Sequence, residues 1–265
     1  MSAVVCGSFD DLRLHHVRFL DAASRLGPLH VILWSDPAAA ALDGQPPKFP
    51  LAERQYFIES IRYVSKVTIA DPTSAPAIAL APGSFLVQDP ADTSPAKTDF
   101  AKSLGLPSRT LAESDLAGFP IAPPTPAPGR KKVLITGCYD WLHTGHVRFF
   151  EEVSEHGDVY AVVGHDANIL LLKGPGHPQF SQDHRRYMVG AIRFVTQSLI
   201  STGHGWLDAE PEIRALRPDI YAVNEDGDKP DKRDFCQKNG IQYLVLKRTP
   251  KPGLPRREST KLRGF

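Results

Sequence analysis

The second half of the chain alternates short apolar runs with segments whose apolar residues recur at helical spacing. Val133-Leu134-Ile135-Thr136 has the composition of a short buried strand. Further elements are predicted as strands at Val159–Gly164, Ser198–Thr202, Ile220–Val223 and Tyr243–Lys247, with a long helix at Gln182–Val195. Strands that alternate with helices predict an α/β fold with a parallel sheet covered on both faces. Ligands bind such sheets beyond the carboxyl ends of the strands.

The stretch after the first of these strands carries the candidate chemistry. It runs Gly-Cys-Tyr-Asp-Trp-Leu-His-Thr-Gly-His from Gly137 to His146, and an amphipathic helix with a stop near Gly157 is predicted to follow. The unpaired N–H groups and positive dipole end of a helix N-terminus suit a phosphate group. We expect Gly145 to leave room for that phosphate, and His143 and His146 to face it. The alternative interpretation is a pair of partly buried or surface histidines in a loop.

The first half of the chain repeats this pattern. Gly7 and Gly137 lie 130 positions apart, and the same or a nearly equal offset relates Asp10 to Asp140, His16 to His146, Arg54 to Arg185 and Tyr56 to Tyr187. Further along, Phe85-Leu86-Val87 aligns with Tyr221-Ala222-Val223. Similarity at so many ordered positions predicts the tandem duplication of a whole domain.

A proline-rich segment separates the two copies. Residues 117–129 hold five prolines, which predicts a stiff, extended linker without helix or strand. We therefore expect one domain at residues 1–118, a linker at 119–130 and a second domain at 131–265.

Composition sets limits on the class of protein. Lys and Arg total 31 and Asp and Glu total 30, so the net charge of +1 gives no indication of binding to nucleic acid or an anionic membrane. No signal peptide is visible, and no apolar run approaches the length of a membrane span. Three scattered cysteines are too few for a disulfide framework or a structural zinc site, so a reducing cytoplasm is the expected location.

The H-x-G-H sequence at a strand-to-helix turn resembles the signature of the cytidylyltransferase-like nucleotidyltransferases, whose domains are Rossmann-like. The resemblance covers residues 131–265 and, more weakly, 1–118. It is strongest with the two-domain ethanolamine-phosphate cytidylyltransferases, through Gly-Cys-Tyr-Asp at 137–140, Lys-Gly-Pro at 173–175 and Lys-Arg-Thr at 247–249. It implies an enzyme of phospholipid biosynthesis.

In the reaction that this resemblance implies, a phosphomonoester oxygen attacks the α-phosphorus of a nucleoside triphosphate and expels pyrophosphate, with Mg²⁺ on the triphosphate. CTP is the favoured nucleotide, and phosphoethanolamine or glycerol phosphate is a favoured acceptor. The implied catalytic residues are His143, His146 and Lys173. The implied nucleotide-binding residues are Gly137, Cys138, Tyr139, Asp140, Thr144, Gly145, Arg185, Asn224, Asp226, Arg248, Ser259 and Thr260.

The chain departs from the family pattern near its end and in its first copy. Glu258 stands where a serine is usual, and the insert 250–256 splits the C-terminal motif. In the first copy, Arg13, His15 and Asp43 stand at the positions of His143, Gly145 and Lys173. We therefore expect the first copy to be non-catalytic, and to form a pseudo-dimer with the second copy within the chain.

Two alternatives remain open. An adenylyltransferase acting on a sugar phosphate or cofactor precursor is the second choice, because H-x-G-H does not select the base. A non-enzymatic nucleotide-binding regulatory protein is favoured by the altered C-terminal motif and the degenerate first copy. A class I aminoacyl-tRNA synthetase also carries H-x-G-H, but the chain shows no K-M-S-K-S-like loop and no tRNA-binding domain.

Overall fold

A computed structural model describes residues 1–71, 78–91 and 95–262, without the side chains of residues 96, 97, 101 and 260. The chain divides into two compact units, residues 1–118 and 119–265. Each unit is built on a parallel sheet flanked by helices, in a Rossmann-like α/β arrangement. The predicted fold class is therefore confirmed.

In the first unit, the five described strands follow the order β3-β2-β1-β4-β5 across the sheet. The strands are β1 Ala3–Gly7, β2 Leu29–Trp34, β3 Val64–Ala70, β4 Phe85–Gln88 and β5 Ser108–Thr110. The helices are α1 Leu14–Ser24, α2 Asp36–Asp43, α3 Leu51–Glu59 and α4 Pro95–Ser103.

The second unit has the same strand order when its strands are counted from its own first strand, β10-β9-β6-β7-β8. Its strands are β6 Lys132–Gly137, β7 Asp158–Val163, β8 Val195–Ile200, β9 Ile220–Asn224 and β10 Gln242–Leu246. Its helices are α5 Thr144–Ser154, α6 Asp166–Lys173, α7 Gln182–Gly190, α8 Glu210–Leu216 and α9 Pro230–Lys238. The shared topology is consistent with the predicted duplication.

The sheet registers correct one alignment between the copies. Val4 of β1 pairs with Leu86, and Leu134 of β6 pairs with Tyr221. Because Val4 and Leu134 are equivalent, Leu86 corresponds to Tyr221, and the sequence alignment of these strands was one residue out of register. Three residues further on, Asp89 corresponds to Asn224.

The long helix predicted at Gln182–Val195 is too long. It ends at Gly190, a tight turn follows, and β8 begins at Val195 rather than at Ser198. Ala191, Ile192 and Val195 are fully buried. These residues pack into the same core as the end of the helix. Their spacing therefore looks like the continuation of a helix, although they belong to the turn and the start of the strand.

Gly157 does not stop α5, which ends at Ser154. A Cβ atom added to Gly157 would lie 2.2 Å from the carbonyl oxygen of Lys131. The glycine is therefore required by a close backbone approach between the turn after α5 and the segment that leads into β6.

The proline-rich segment packs on the second unit. Residues 119–131, all of which are described, have neither helix nor strand. Arg186 donates a hydrogen bond to the carbonyl oxygen of Phe119 at 3.0 Å, and the N–H of Ala127 donates to Asp158 at 2.8 Å. The segment is thus held along its length by the second unit.

Each unit contains a buried arginine that makes the same set of contacts, Arg185 in the second unit and Arg54 in the first. Arg185 donates to the carbonyl oxygens of Phe180, Cys138 and Gly164 and to the carboxylate of Asp166, at 2.7–2.9 Å. Arg54 donates to the corresponding Phe49, Ser8, Trp34 and Asp36. Only 1% of the Arg185 side chain is exposed, and four of its five N–H groups are used. We correct the expected role of Arg185 on this ground, because its guanidinium joins segments of the fold and has little left for a triphosphate.

Asp140 has the same kind of role. Its carboxylate accepts the backbone N–H groups of Gln179 and Phe180 at 2.9–3.0 Å. Asp10 accepts the equivalent N–H groups of Lys48 and Phe49 in the first unit. Because the copy without the phosphate residues keeps both contacts, they belong to the fold.

We predict that Arg185→Ala lowers the free energy of unfolding by about 3 kcal/mol, since it leaves buried carbonyl groups and Asp166 without their partner. Arg54→Ala should cost a similar amount through the equivalent contacts. Urea denaturation of the full chain measures both effects. A variant of Arg185 that kept normal stability and lost only nucleotide affinity would contradict this assignment.

Candidate active site

A cavity of about 210 Å³ lies at the carboxyl ends of β6 and β9. Residues from the loop after β6, the first turns of α5, the end of α6 and the C-terminal segment meet around it. The expected site residues that line it are Gly137, Cys138, Tyr139, Asp140, Gly145, His146, Lys173, Asn224, Asp226, Arg248 and Ser259. The structure therefore brings most of the expected residues to one place.

Three of the expected residues do not line this cavity, although their side chains are described. Arg185 is buried in the contacts described above. His143 is 3% exposed and lies behind His146, with the ring centroids 4.0 Å apart. Thr144 is also buried and lines a smaller neighbouring pocket of about 20 Å³. The side chain of Thr260 is outside the described residues.

Lys232 lines the cavity and was missed by the sequence analysis. Its Nζ atom donates to the carbonyl oxygen of Gly227 at 3.2 Å and lies 5.7 Å from the centre of the Tyr221 ring. Burial lowers the pKa of this amine, and Lys229 lowers it further. Its position in the first turn of the helix after β9 was the available signal.

The two histidines are held in defined tautomers by backbone N–H groups. The N–H of Gly145 donates to Nδ1 of His143 at 3.1 Å, and the N–H of His143 donates to Nδ1 of His146 at 3.4 Å. In each neutral ring the proton is therefore on Nε2. The N–H group of Gly145, one of those that the helix was expected to offer to a phosphate, is therefore used by His143.

Gly145 makes the His143 arrangement possible. A Cβ atom added to Gly145 would lie 2.9 Å from Cε1 of His143. The space that we expected a phosphate to use next to the backbone is thus partly filled by the imidazole ring.

Both imidazoles are neutral near pH 7. Burial, with smaller effects from Arg248 and Arg257, lowers the pKa of His143 from 6.5 to about 3. Burial also lowers the pKa of His146 well below 6.5, and the nearby His143, Arg248 and Lys173 add to this effect. The positive charge at the cavity is therefore carried by lysine and arginine.

Three buried polar atoms near the cavity have no hydrogen-bond partner among the described residues: Nε2 of His143, the hydroxyl of Tyr139 and Oδ1 of Asn224. Leaving such an atom unpaired costs about 1–3 kcal/mol. The equivalent residues of the first unit are Arg13, which pairs with Asp11, Phe9, which has no polar atom, and Asp89, which binds His15 and the N–H of Ala91. Unpaired atoms at this position of the second unit alone indicate a ligand site.

The insert folds back and returns the chain to the cavity. Arg248 donates to Asp226 at 2.7 Å and to the carbonyl oxygen of Arg257 at 3.1 Å. Within the insert, Lys251 pairs with Glu151 of α5 at 2.8 Å. Arg248 and Ser259 consequently line the same cavity although the insert separates them in sequence.

The first unit has a cavity of about 260 Å³ at the equivalent position. His16 takes the place of His146, and its Nδ1 likewise accepts a backbone N–H, from Arg13 at 3.2 Å. No lysine or arginine is among the described residues that line this cavity. A polyphosphate would find no cation in that lining.

A family model described as cytidylyltransferase-like matches residues 134–248. FAD synthase of Aciduliprofundum boonei is 33% identical over 119 residues, which are 44% of this chain and 76% of that protein. The bifunctional protein HldE of Azotobacter vinelandii is 34% identical over 126 residues, but the match spans only 25% of that longer protein.

A solved lipopolysaccharide core biosynthesis protein from Thermoplasma volcanium is 21% identical and aligns over 46% of this chain and 99% of its own, with a TM-score of 0.39. Among the described residues, none of the helices is both long and apolar enough to cross a membrane.

Acid should destabilise the second unit through His143 and His146. Their pKa values in the folded chain lie below the unfolded value of about 6.5, so the unfolded chain takes up protons first as the pH falls. Their contribution to stability is complete above about pH 7 and is lost progressively as the pH falls below about 6.5, a loss that for His143 continues toward pH 3. The loss approaches about 1.4 kcal/mol per pH unit for each histidine.

Urea denaturation between pH 7 and pH 4 measures this loss, and His143→Gln should reduce its slope. Nitrogen chemical shifts of the imidazoles provide a direct check, with both rings protonated on Nε2 alone at pH 6. Titration of either ring near pH 6.5 in the folded chain would contradict the assignment.

Proposed function

Since the chain belongs to the cytidylyltransferase-like family of nucleotidyltransferases, we propose that its second unit transfers a nucleoside monophosphate from a nucleoside triphosphate to a small phosphorylated acceptor. The alternative of a protein that only binds nucleotide loses support, because the relatives are enzymes. The observation that carries the proposal is the single cavity at which His146, Lys173 and Arg248 meet the start of α5.

The acceptor supplies its own nucleophile. The second pKa of a phosphomonoester is about 6, so the group is mostly a dianion at neutral pH and needs no strong general base. Its oxygen forms a bond to the α-phosphorus while the bond to the bridging oxygen breaks, and pyrophosphate leaves with that electron pair. The task of the site is to stabilise negative charge on the α-phosphate and the leaving group.

The neutral histidines act in this scheme as hydrogen-bond donors. His146 lines the cavity, and the ring of His143, whose Nε2 is buried without a hydrogen-bond partner among the described residues, lies 4.0 Å from the ring of His146. We assign both to oxygens of the α-phosphate. Fixed donors in a buried site need no reorganisation when charge develops, which makes them effective without a positive charge.

The cations complete the scheme. Lys173 is exposed at the end of α6, where its flexible side chain reaches toward the bridging and non-bridging oxygens. Arg248 and Ser259 serve the β- and γ-phosphates. Thr260, Thr144 and the loop residues Gly137–Tyr139 keep their proposed nucleotide contacts, whereas Arg185 and Asp140 act by holding the loop.

Mg²⁺ fits this site as a companion of the triphosphate. No group of three or more His, Cys, Asp or Glu side chains suited to a metal occurs in the described ranges. The ion would keep phosphate oxygens and waters as its ligands, as Mg²⁺ prefers, and it would neutralise phosphate charge. Asp226, which lines the cavity and is half exposed, is the side chain that would bind one of its waters.

We propose ATP as the nucleotide, in place of the CTP implied by the sequence resemblance. FAD synthase, the relative with 76% of its length matched, is named for a product that contains an adenine nucleotide. The acceptor is then a cofactor precursor or a sugar phosphate. Neither of the relatives reported above is named as an ethanolamine-phosphate cytidylyltransferase, so a role in phospholipid biosynthesis gains no support from them.

Loss of either proposed catalytic side chain should slow turnover. We predict that His146→Ala and Lys173→Ala each lower the rate of pyrophosphate release by about 10²-fold, the scale for losing one electrostatic stabiliser. His16→Ala, the equivalent change in the first unit, is the matched control and should leave the rate unchanged. Rates near wild type for both second-unit variants would refute the assignment.

Nucleotide preference can be measured without knowing the acceptor. Calorimetric titration of the full chain with ATP and with CTP, each with Mg²⁺, should show tighter binding of ATP. A panel of phosphorylated cofactor precursors, sugars and alcohols then identifies the acceptor by pyrophosphate release. Tighter binding of CTP would return the assignment to the cytidylyltransferases.

A further inference from the structure

Lys232 is a cation of the catalytic cavity that has no role in the reaction scheme proposed above. Among the described residues that line this cavity, three are cations: Lys173, Lys232 and Arg248. Lys173 and Arg248 are assigned to the triphosphate. The reaction brings together two anions, however, and the phosphate of the acceptor has no cation of its own in that scheme.

The sheet topology separates Lys232 from the side on which the triphosphate is proposed to lie. The chain passes from β6 to β7 and on to β8 in one direction across the sheet, but from β9 to β10 in the opposite direction. Crossovers between parallel strands are right-handed, so α5, α6 and α7 cover one face of the sheet and α9 covers the other. Lys232 lies in the first turn of α9, whereas His146 and Lys173 belong to helices of the opposite face.

The packing around Lys232 agrees with this placement. Its Nζ atom lies 5.7 Å from the centre of the Tyr221 ring. Tyr221 belongs to a core cluster that also contains Ile213 of α8 and Cys236 of α9. The lysine therefore reaches the cavity along the face of the sheet that α8 and α9 cover.

The ammonium group of Lys232 has no paired carboxylate in the described part of the chain. One of its three N–H groups donates to the carbonyl oxygen of Gly227 at 3.2 Å. Burial and the charge of Lys229 lower the pKa of this amine by more than Asp208 and Asp228 raise it. A partly buried charge of this kind is costly unless an anion lies next to it, and a bound phosphate would be such an anion.

We propose that Lys232 binds the phosphate of the acceptor, on the side of the α-phosphorus opposite the leaving pyrophosphate. This inference rests on the proposed nucleotidyl transfer. In such a displacement the attacking and leaving oxygens lie roughly in line, so the two anions are held on opposite sides of the reacting phosphorus. A cation that enters the cavity from the second face of the sheet meets this requirement. Lys232 then orients the attacking phosphate and reduces its repulsion by the triphosphate.

Binding of inorganic phosphate to the full chain tests this contact before the acceptor is known. The triphosphate site is first saturated with α,β-methylene-ATP and Mg²⁺, because the methylene bridge is not cleaved in the transfer. Inorganic phosphate, which carries the charged group common to every candidate acceptor, is then titrated and followed by the broadening of its phosphorus NMR signal. In Lys232→Met it should bind roughly tenfold more weakly, the scale for losing one charge-assisted hydrogen bond, while the affinity for α,β-methylene-ATP stays unchanged.

Two further variants show whether the effect belongs to the charge at this position. Lys232→Arg keeps a cation and should retain most of the phosphate binding. Lys238→Met makes the same change in the exposed last turn of α9 and should leave the binding of both ligands unaffected. Methionine keeps an apolar chain against Tyr221, so Lys232→Met should remain folded, which urea denaturation of the full chain checks.

Steady-state kinetics gives a second readout once the panel of phosphorylated compounds has identified the acceptor. Lys232→Met should raise the KM for the acceptor roughly tenfold and leave the KM for ATP unchanged. A lysine that only supported the turn at Gly227 would instead change stability or the affinity for the triphosphate.

The inference is overturned if Lys232→Met binds inorganic phosphate as tightly as the wild type, or if it loses affinity for α,β-methylene-ATP to the same extent. It is also overturned if the wild type, saturated with the nucleotide, binds no inorganic phosphate. A wild type that neither binds nucleotide nor releases pyrophosphate with any acceptor removes the proposed function itself. Normal turnover with an unchanged KM for the acceptor in Lys232→Met refutes the inference alone.

Discussion

The buried guanidinium of Arg185 fixes the positions on which the cavity depends. It binds the loop after β6, the end of β7 and the segment before α7, and it pairs with Asp166 at the start of α6. These segments carry or adjoin the residues that meet at the cavity. Arg54 makes the same contacts in the first unit, which lacks the phosphate-binding residues. The contacts that hold the fold are therefore independent of the residues expected to bind phosphate.

The two copies share one local backbone geometry before the histidine but carry different polar groups on it. Phe9 and Tyr139 both adopt a left-handed backbone, with φ of 46° and 53°, and the ring of each lies edge-on to the histidine at position 16 or 146. Only the second copy adds a hydroxyl there, and that hydroxyl is unpaired. At the equivalent positions the first copy has Arg13 and Asp89 paired, whereas His143, Tyr139 and Asn224 of the second copy keep unpaired polar atoms, as functional sites commonly do at a cost in stability.

Local patterns made the fold and the centre of the site predictable. The alternation of strands and helices and the strand-to-helix turn before His146 depend on neighbouring residues, which the sequence shows directly. The role of Arg185 could not be predicted in this way, because residue type does not show which acceptors a side chain has already bound. The low pKa values of the histidines and the place of Lys232 depend on burial, which only the packed structure provides.

The hydrogen bond from Arg248 to the carbonyl oxygen of Arg257 affects how freely the insert 250–256 can change in length. Their contact at 3.1 Å holds the two ends of the insert together, so the length of the loop is decoupled from the position of its ends. Loop-closure entropy grows only logarithmically, and doubling a flexible loop costs about 0.6 kcal/mol. The family match stops at residue 248, where the insert begins, although the chain re-enters the cavity at Ser259. An alignment of the sequence to the family therefore ends at the insert, although the residues after the insert still contribute to the cavity.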